Sequence, residues 1–118
     1  MSSYQLESQE NGDQAIAVVG VAGELDLTNA GDLEARLDAL AAPAAALVLD
    51  LNRVVFIDSA ALQAFFRLAR RRGRHRFGIV VEAGAPISRT LEIVDLARAV
   101  TIGASIEEVR ASLARPHG

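Results

Sequence analysis

Residues 45–73, AALVLDLNRVVFIDSAALQAFFRLARRRG, decide the fold. Ala46 to Leu51 is a mostly apolar run, the pattern of a strand covered on both faces. Asn52 and Arg53 interrupt it, and Val54 to Ile57, β-branched or aromatic, carry the chain on extended. Asp58, a strong helix N-cap, stands directly before a helical period. Leu62, Phe65, Phe66 and Ala69 recur at i, i+3, i+4 and i+7 and predict one apolar stripe. Ser59, Gln63, Arg67 and Arg70 make the polar stripe. The spacing therefore places Ser59 in the first turn, on the solvent face, at the positive end of the helix dipole. Gly73 is the expected helix stop.

A serine hydroxyl in that position is open to a modifying enzyme. A phosphate added there suits the helix, because helix N-termini bind anions. It also puts about −1.5 to −2 of charge on an outward face, beside Asp58. Modification can thus leave the fold intact and abolish a complex. The plainer reading of Asp-Ser at a helix start is capping without function.

Before this stretch, Tyr4 to Ser8 alternates as a short edge strand, and Glu10-Asn11-Gly12-Asp13 is a hairpin-turn signal. Ala15 to Val21 is the next strand, with Gly20 marking a bulge or close approach. Gly23 to Asn29 leads into a helix capped by Thr28 or Asn29, with Ala30, Leu33, Leu37, Leu40 and Ala41 on its apolar face. Pro43 ends that helix. After the central helix, Phe77 to Glu82 reads as a strand. Pro86 suits the first position of a helix running through Leu96. Ala99 to Ile102 is a short strand, and Ser105 to Glu108 is a capping box. The order β-β-α-β-α-β-α-β-α predicts an α/β fold with a partly parallel sheet. Residues 1–118 read as one domain, frayed at 1–3 and 115–118.

Half of the 118 residues are apolar, enough for a core. There is no cysteine, which excludes disulfides and thiolate metal sites. No run approaches the ~20 apolar residues of a membrane span, and the polar, acidic N-terminus is unlike a signal peptide. A cytoplasmic location is expected. Residues 1–50 hold nine acids and one arginine, while residues 51–118 hold six acids and eleven arginines. This asymmetry hints at a polar protein partner. The run Arg70 to Arg76 reads as a solvated helix end; without interleaved aromatics it does not argue for nucleic acid. No phosphate-cradling glycine loop, metal-ligand spacing or catalytic triad is present, so no cofactor, no metal and no enzymatic activity are expected. Asp26, Asp50 and Asp58 are the one set of carboxylates that could meet at strand ends around a divalent cation; capping and solvation account for each more simply.

Gly23-Glu24-Leu25-Asp26-Leu27 and Phe56-Ile57-Asp58-Ser59-Ala60-Ala61-Leu62 resemble the STAS domain in its stand-alone form as an anti-sigma factor antagonist. Arg89 to Leu96 is similar to the family's R-x-L-x-L-x-G-L segment. The resemblance covers nearly the whole chain. It implies a small mixed sheet with helices packed largely on one face. It also implies a protein that binds an anti-sigma factor serine kinase, releasing the sigma factor. That kinase phosphorylates the serine matching Ser59, and a metal-dependent serine phosphatase reverses it. By position the docking surface would be Asp26, Thr28, Asn29, Asp58, Ser59, Ala60, Ala61, Leu62 and Gln63.

Two departures stand out. Ala61 replaces the family's glycine, which places a methyl on the turn that a kinase or partner would approach. Asp95 replaces a second glycine before the last strand. These changes leave room for a scaffold used without phosphorylation, for example as a cytoplasmic subunit of a lipid-transport ATPase or within a signalling assembly. A third class, a nucleotide- or anion-binding regulator or weak hydrolase, would have to reveal itself by binding nucleotide.

Overall fold

The computed structural model describes residues 2–10, 12 and 14–113. Its elements run β1 (Tyr4–Gln9), β2 (Ile16–Leu25), α1 (Ala30–Ala41), β3 (Ala46–Ile57), α2 (Ser59–Arg72), β4 (Phe77–Val80), α3 (Ser88–Ile93), β5 (Thr101–Gly103) and α4 (Ile106–Leu113). Short 3-10 turns occupy Arg74–Arg76 and Leu96–Arg98. The five strands form one sheet in sequence order. β1 and β2 are antiparallel, and β2 to β5 are parallel. The expected element order and mixed sheet are both present.

β3 is the axis of the molecule, and it is a single twelve-residue strand rather than two pieces. Asn52 and Arg53 do not break it. Instead the register against β2 slips between Gly20 and Ala22 and again between Gly23 and Glu24, where β3 carries an extra residue each time. Each slip reverses the in-out alternation. That is why Leu47, Leu49, Leu51, Val54 and Ile57 all reach one apolar cluster. Gly20, the suspected bulge position, lies at the first slip.

That larger cluster joins β2 and β3 to α1, α2 and the α3 segment. α4 lies on the opposite face, where Val109 and Leu113 pack with Val18, Ala46, Val48 and Val80. Three helices on one face and one short helix on the other is the expected one-sided arrangement with a single exception.

Several boundaries differ from the sequence reading. Ser2 and Ser3 are held, not frayed: the β1–β2 pairing brings them beside the end of β2, where Glu24 N donates to Ser3 O at 2.9 Å. Met1 and residues 114–118 lie outside the described residues, as do Asn11 and Asp13 of the hairpin turn; Gly12 has the expected positive φ, 79°. Leu40 is exposed rather than on the buried face of α1. Pro86 lies in a turn, and α3 starts at Ser88 and stops at Ile93. The helix cannot run to Leu96 because Asp95 adopts the left-handed backbone, φ 54° and ψ 44°. The strand expected at Ala99 begins at Thr101. The capping box is half formed. Ser105 Oγ accepts from Glu108 N, but Glu108 accepts from Ala104 N and not from Ser105.

Candidate functional site

α2 forms where the sequence places it. Asp58 is extended, φ −106° and ψ −177°, and its Oδ1 accepts from Ala61 N at 3.0 Å. At the far end Gly73, φ 90°, ends the helix with its N–H on Ala69 O. The buried face carries Ala61, Leu62, Ala64, Phe65, Leu68 and Ala69. Phe66 is only partly buried but packs against the core, and Ala64 and Leu68, outside the predicted stripe, are buried beside it.

Ser59 is the first residue of α2 and is exposed. Among the described residues none hydrogen-bonds its hydroxyl. Asp58 Oδ2 meanwhile accepts from Leu27 N at 3.0 Å, and Asp58 N donates to Leu25 O at 3.1 Å. One carboxylate thereby caps α2 and fastens the β2–α1 loop to the N-terminus of that helix.

The loop has its own framework. Asp26 Oδ1 accepts from Thr28 N at 2.9 Å and Thr28 Oγ1 at 2.5 Å, and Asp26 Oδ2 accepts from Ser2 Oγ. The hydrogen bonds from Ser2 and then Thr28 hold the Asp26 carboxyl below the usual carboxylate range. Asn29 is buried; it accepts from Asp26 N at 3.0 Å and donates to Glu24 O at 2.9 Å. Its side chain does not cap α1, although it stands at the N-cap. Gly23 supports the same corner. Its φ is 104°, and a Cβ there would run into the backbone of Ser3 and Tyr4. Only glycine meets both demands.

The nine expected surface residues therefore divide. Asp58, Ser59, Gln63, Asp26, Thr28 and Ala60 retain at least part of their surface. Asn29, Ala61 and Leu62 are buried. The Ala61 methyl, 0% exposed, points into the core and not towards an approaching partner. Sequence reading passed over Leu27, Val55 and Phe56, which are exposed at this same end. The signal for Leu27 was present: a leucine in a polar loop between two caps has nothing to pack against.

Asp26, Asp50 and Asp58 each accept hydrogen bonds from the protein, Asp50 from Asn52. Among the described residues no three His, Cys, Asp or Glu side chains form a group able to hold a metal ion. Part of the charge asymmetry between the two halves is met by ion pairs between α1 and α2. Glu34 of α1 meets Arg67 at 2.8 Å and Arg71 at 2.5 Å, and Asp38 meets Arg71 at 2.6 Å. Burial pushes the Glu34 carboxyl up, but the hydrogen bonds and charges of Arg67 and Arg71 outweigh it and leave it below its ordinary value. Among the described residues no helix is long and apolar enough to cross a membrane.

The STAS domain family profile matches residues 7–109. The chain belongs to the STAS domain family. Its fold is similar to that of an anti-sigma factor antagonist from Mycobacterium paratuberculosis, with a TM-score of 0.80 at 24% identity over 96% of each chain. It is also similar to the anti-sigma factor antagonist SpoIIAA in its unphosphorylated form, TM-score 0.60 at 16% identity, covering 93% of this STAS chain and 96% of that one. The phosphorylated form of the Bacillus cell fate determinant SpoIIAA matches with a TM-score of 0.58 at 16% identity, over 94% and 99% of the two chains. No curated protein matches the sequence.

Proposed function

We propose that this STAS protein is an anti-sigma factor antagonist that binds an anti-sigma factor serine kinase and is switched off by phosphorylation of Ser59. The observation that carries the reading is the exposed Ser59 in the first turn of α2, its hydroxyl without a partner among the described residues. Family membership and the likeness to antagonist folds support it. The buried Ala61 methyl supports it too, since the departure from the family glycine adds no bulk to the docking face.

In this reading the protein is a cytoplasmic binding module and not an enzyme, and a metal-dependent serine phosphatase resets it. Ser59 is a substrate, not a nucleophile. His75 lies just past the other end of the fourteen-residue α2, roughly 20 Å away along the helix axis. A phosphate on Ser59 would sit beside the Asp58 carboxylate and place two like charges where a partner must dock.

Incubation with the cognate kinase and ATP, followed by intact-mass measurement, tests this. One phosphate is expected on the parent and none on Ser59→Ala. Ser59→Asp is expected to bind the kinase about a hundredfold or more weaker. A Ser59→Asp protein that binds as tightly as the parent contradicts the gate.

A further inference from the structure

The residues that lead into β1 grip the loop between β2 and α1 at both of its ends. At the β2 end, Ser2 Oγ donates to Asp26 Oδ2, and Ser3 O accepts from Glu24 N at 2.9 Å. At the α1 end, the Tyr4 hydroxyl donates to Asp32 Oδ2 at 2.5 Å and accepts from Arg36 Nη1 at 3.2 Å. Asp32 lies in the first turn of α1. The Arg36 guanidinium also lies over the Tyr4 ring, 5.3 Å from its centroid, an attractive placement for a cation.

The loop needs such a grip. Leu27 and Thr28 are exposed, so polar contacts rather than apolar packing set the path between buried Leu25 and buried Ala30. Those contacts continue to α2. Asp26, which takes the Ser2 hydrogen bond, shares a peptide link with Leu27, and the Leu27 N–H donates to Asp58 Oδ2 at 3.0 Å. Asp58 Oδ1 in turn accepts from Ala61 N in the first turn of α2, the turn that Ser59 opens. An unbroken series of hydrogen bonds thus joins Ser2 to the helix start.

We infer that Ser2 and Tyr4 are positioning residues for the Ser59 site: the strap they form fixes the β2–α1 loop, and the loop fixes the Asp58 carboxylate that opens α2. The strap stands on these contacts alone; its consequence for recognition rests on the reading that a kinase docks at Ser59. A chain without the strap keeps its core but lets the loop wander. A partner must then order the loop as it docks, which weakens binding.

Hydrogen exchange on the full chain tests the strap, and kinetics with the cognate anti-sigma factor kinase test its consequence. Ser2→Ala is expected to accelerate exchange at the Leu27 amide about tenfold, because opening the loop no longer breaks the bond to Asp26. Tyr4→Phe keeps the ring beneath Arg36 and loses only the hydroxyl, and about a threefold acceleration is expected. Amides at the centre of α2, Phe65 and Leu68, should stay within about twofold of the parent in both variants. Ser2→Thr retains a hydroxyl and should restore the parent's exchange at Leu27. In phosphorylation of Ser59, Ser2→Ala should raise KM about threefold or more and leave kcat within about twofold, the pattern of lost docking rather than lost chemistry. Leu27 exchange within about twofold of the parent in Ser2→Ala overturns the strap. Equal acceleration at Leu27 and at the α2 centre also overturns it, since that is general loosening. Faster exchange at Leu27 with KM unchanged overturns the positioning role while the proposed function stands. A kinase that leaves the parent unmodified contradicts the proposed function, and exchange at Leu27 still decides the strap.

Discussion

The two ends of α2 present opposite cases. The C-terminal end carries the most conspicuous motif in the chain, the arginine run from Arg70 to Arg76. Yet much of that charge is tied up internally. Arg71 pairs with Glu34 and Asp38, Arg72 donates to Ala44 O and Arg76 O, and Arg74 donates to Ala97 O and Arg98 O. The N-terminal end has no such motif. There a carboxylate fastens a loop to the helix, and a serine hydroxyl and three large apolar side chains, Leu27, Val55 and Phe56, are left facing solvent. A dense charge run signals structure when its partners lie within the chain. Side chains held in place without a partner are the better sign of a surface that another molecule reads.

Gly23 seats the corner beneath the loop. Gly23→Ala adds a Cβ against the backbone of Ser3 and Tyr4 at positive φ. It is expected to cost roughly 3 kcal/mol in a denaturant melt, the largest effect among these substitutions. Asp58→Ala removes the α2 cap and the acceptor of Leu27 N–H together. A loss of about 2 kcal/mol is expected, with hydrogen exchange at the Leu27 amide accelerated more than at the α2 centre.

The other end sharpens the contrast. Glu34→Gln should cost about 1 kcal/mol at neutral pH by weakening the bonds from Arg67 and Arg71. Because the folded Glu34 pKa is depressed, its contribution is complete above the ordinary glutamate pKa and is lost as pH falls through the folded value. Melting temperatures of parent and Glu34→Gln should therefore converge on acidification. The smallest effect is expected at Asp95, the non-glycine residue of positive φ among the described residues. Asp95→Gly relieves that backbone but loses the 3.2 Å contact with Arg98 and adds unfolded-state freedom. A net gain of about 0.5 kcal/mol is expected.

What was legible in the sequence was local. Asp58, the helical period after it and Gly73 bound α2 by short-range chemistry, and they place Ser59 on the outside without any tertiary information. The strand-helix order followed from the same kind of signal. The rest depends on contacts distant in sequence. The two slips in β3 arise from pairing with β2, so Asn52 and Arg53 read as a break when they lie within one strand. Asn29 reads as a helix cap, but the turn around Asp26 draws its side chain inwards. Ala61 reads as a bump on a docking face because the helical phase is set by packing, and packing turns its methyl to the core. The charge asymmetry reads as surface charge, but Glu34 and Asp38 of the acidic half pair with Arg67 and Arg71 once α1 and α2 lie side by side. At Asp95 the family pattern marked a glycine position, and the left-handed backbone there explains why.

The central claim is that the hydroxyl opening α2 belongs to a surface whose complex is controlled by one phosphate. The most direct measurement is the affinity of the anti-sigma factor kinase for the protein before and after stoichiometric phosphorylation, with the modified residue located by peptide mass. The account predicts a single phosphate on Ser59 and a loss of affinity of about a hundredfold or more, with the melting temperature nearly unchanged. A phosphate found elsewhere, or a Ser59-phosphorylated protein that binds as the parent does, would contradict it.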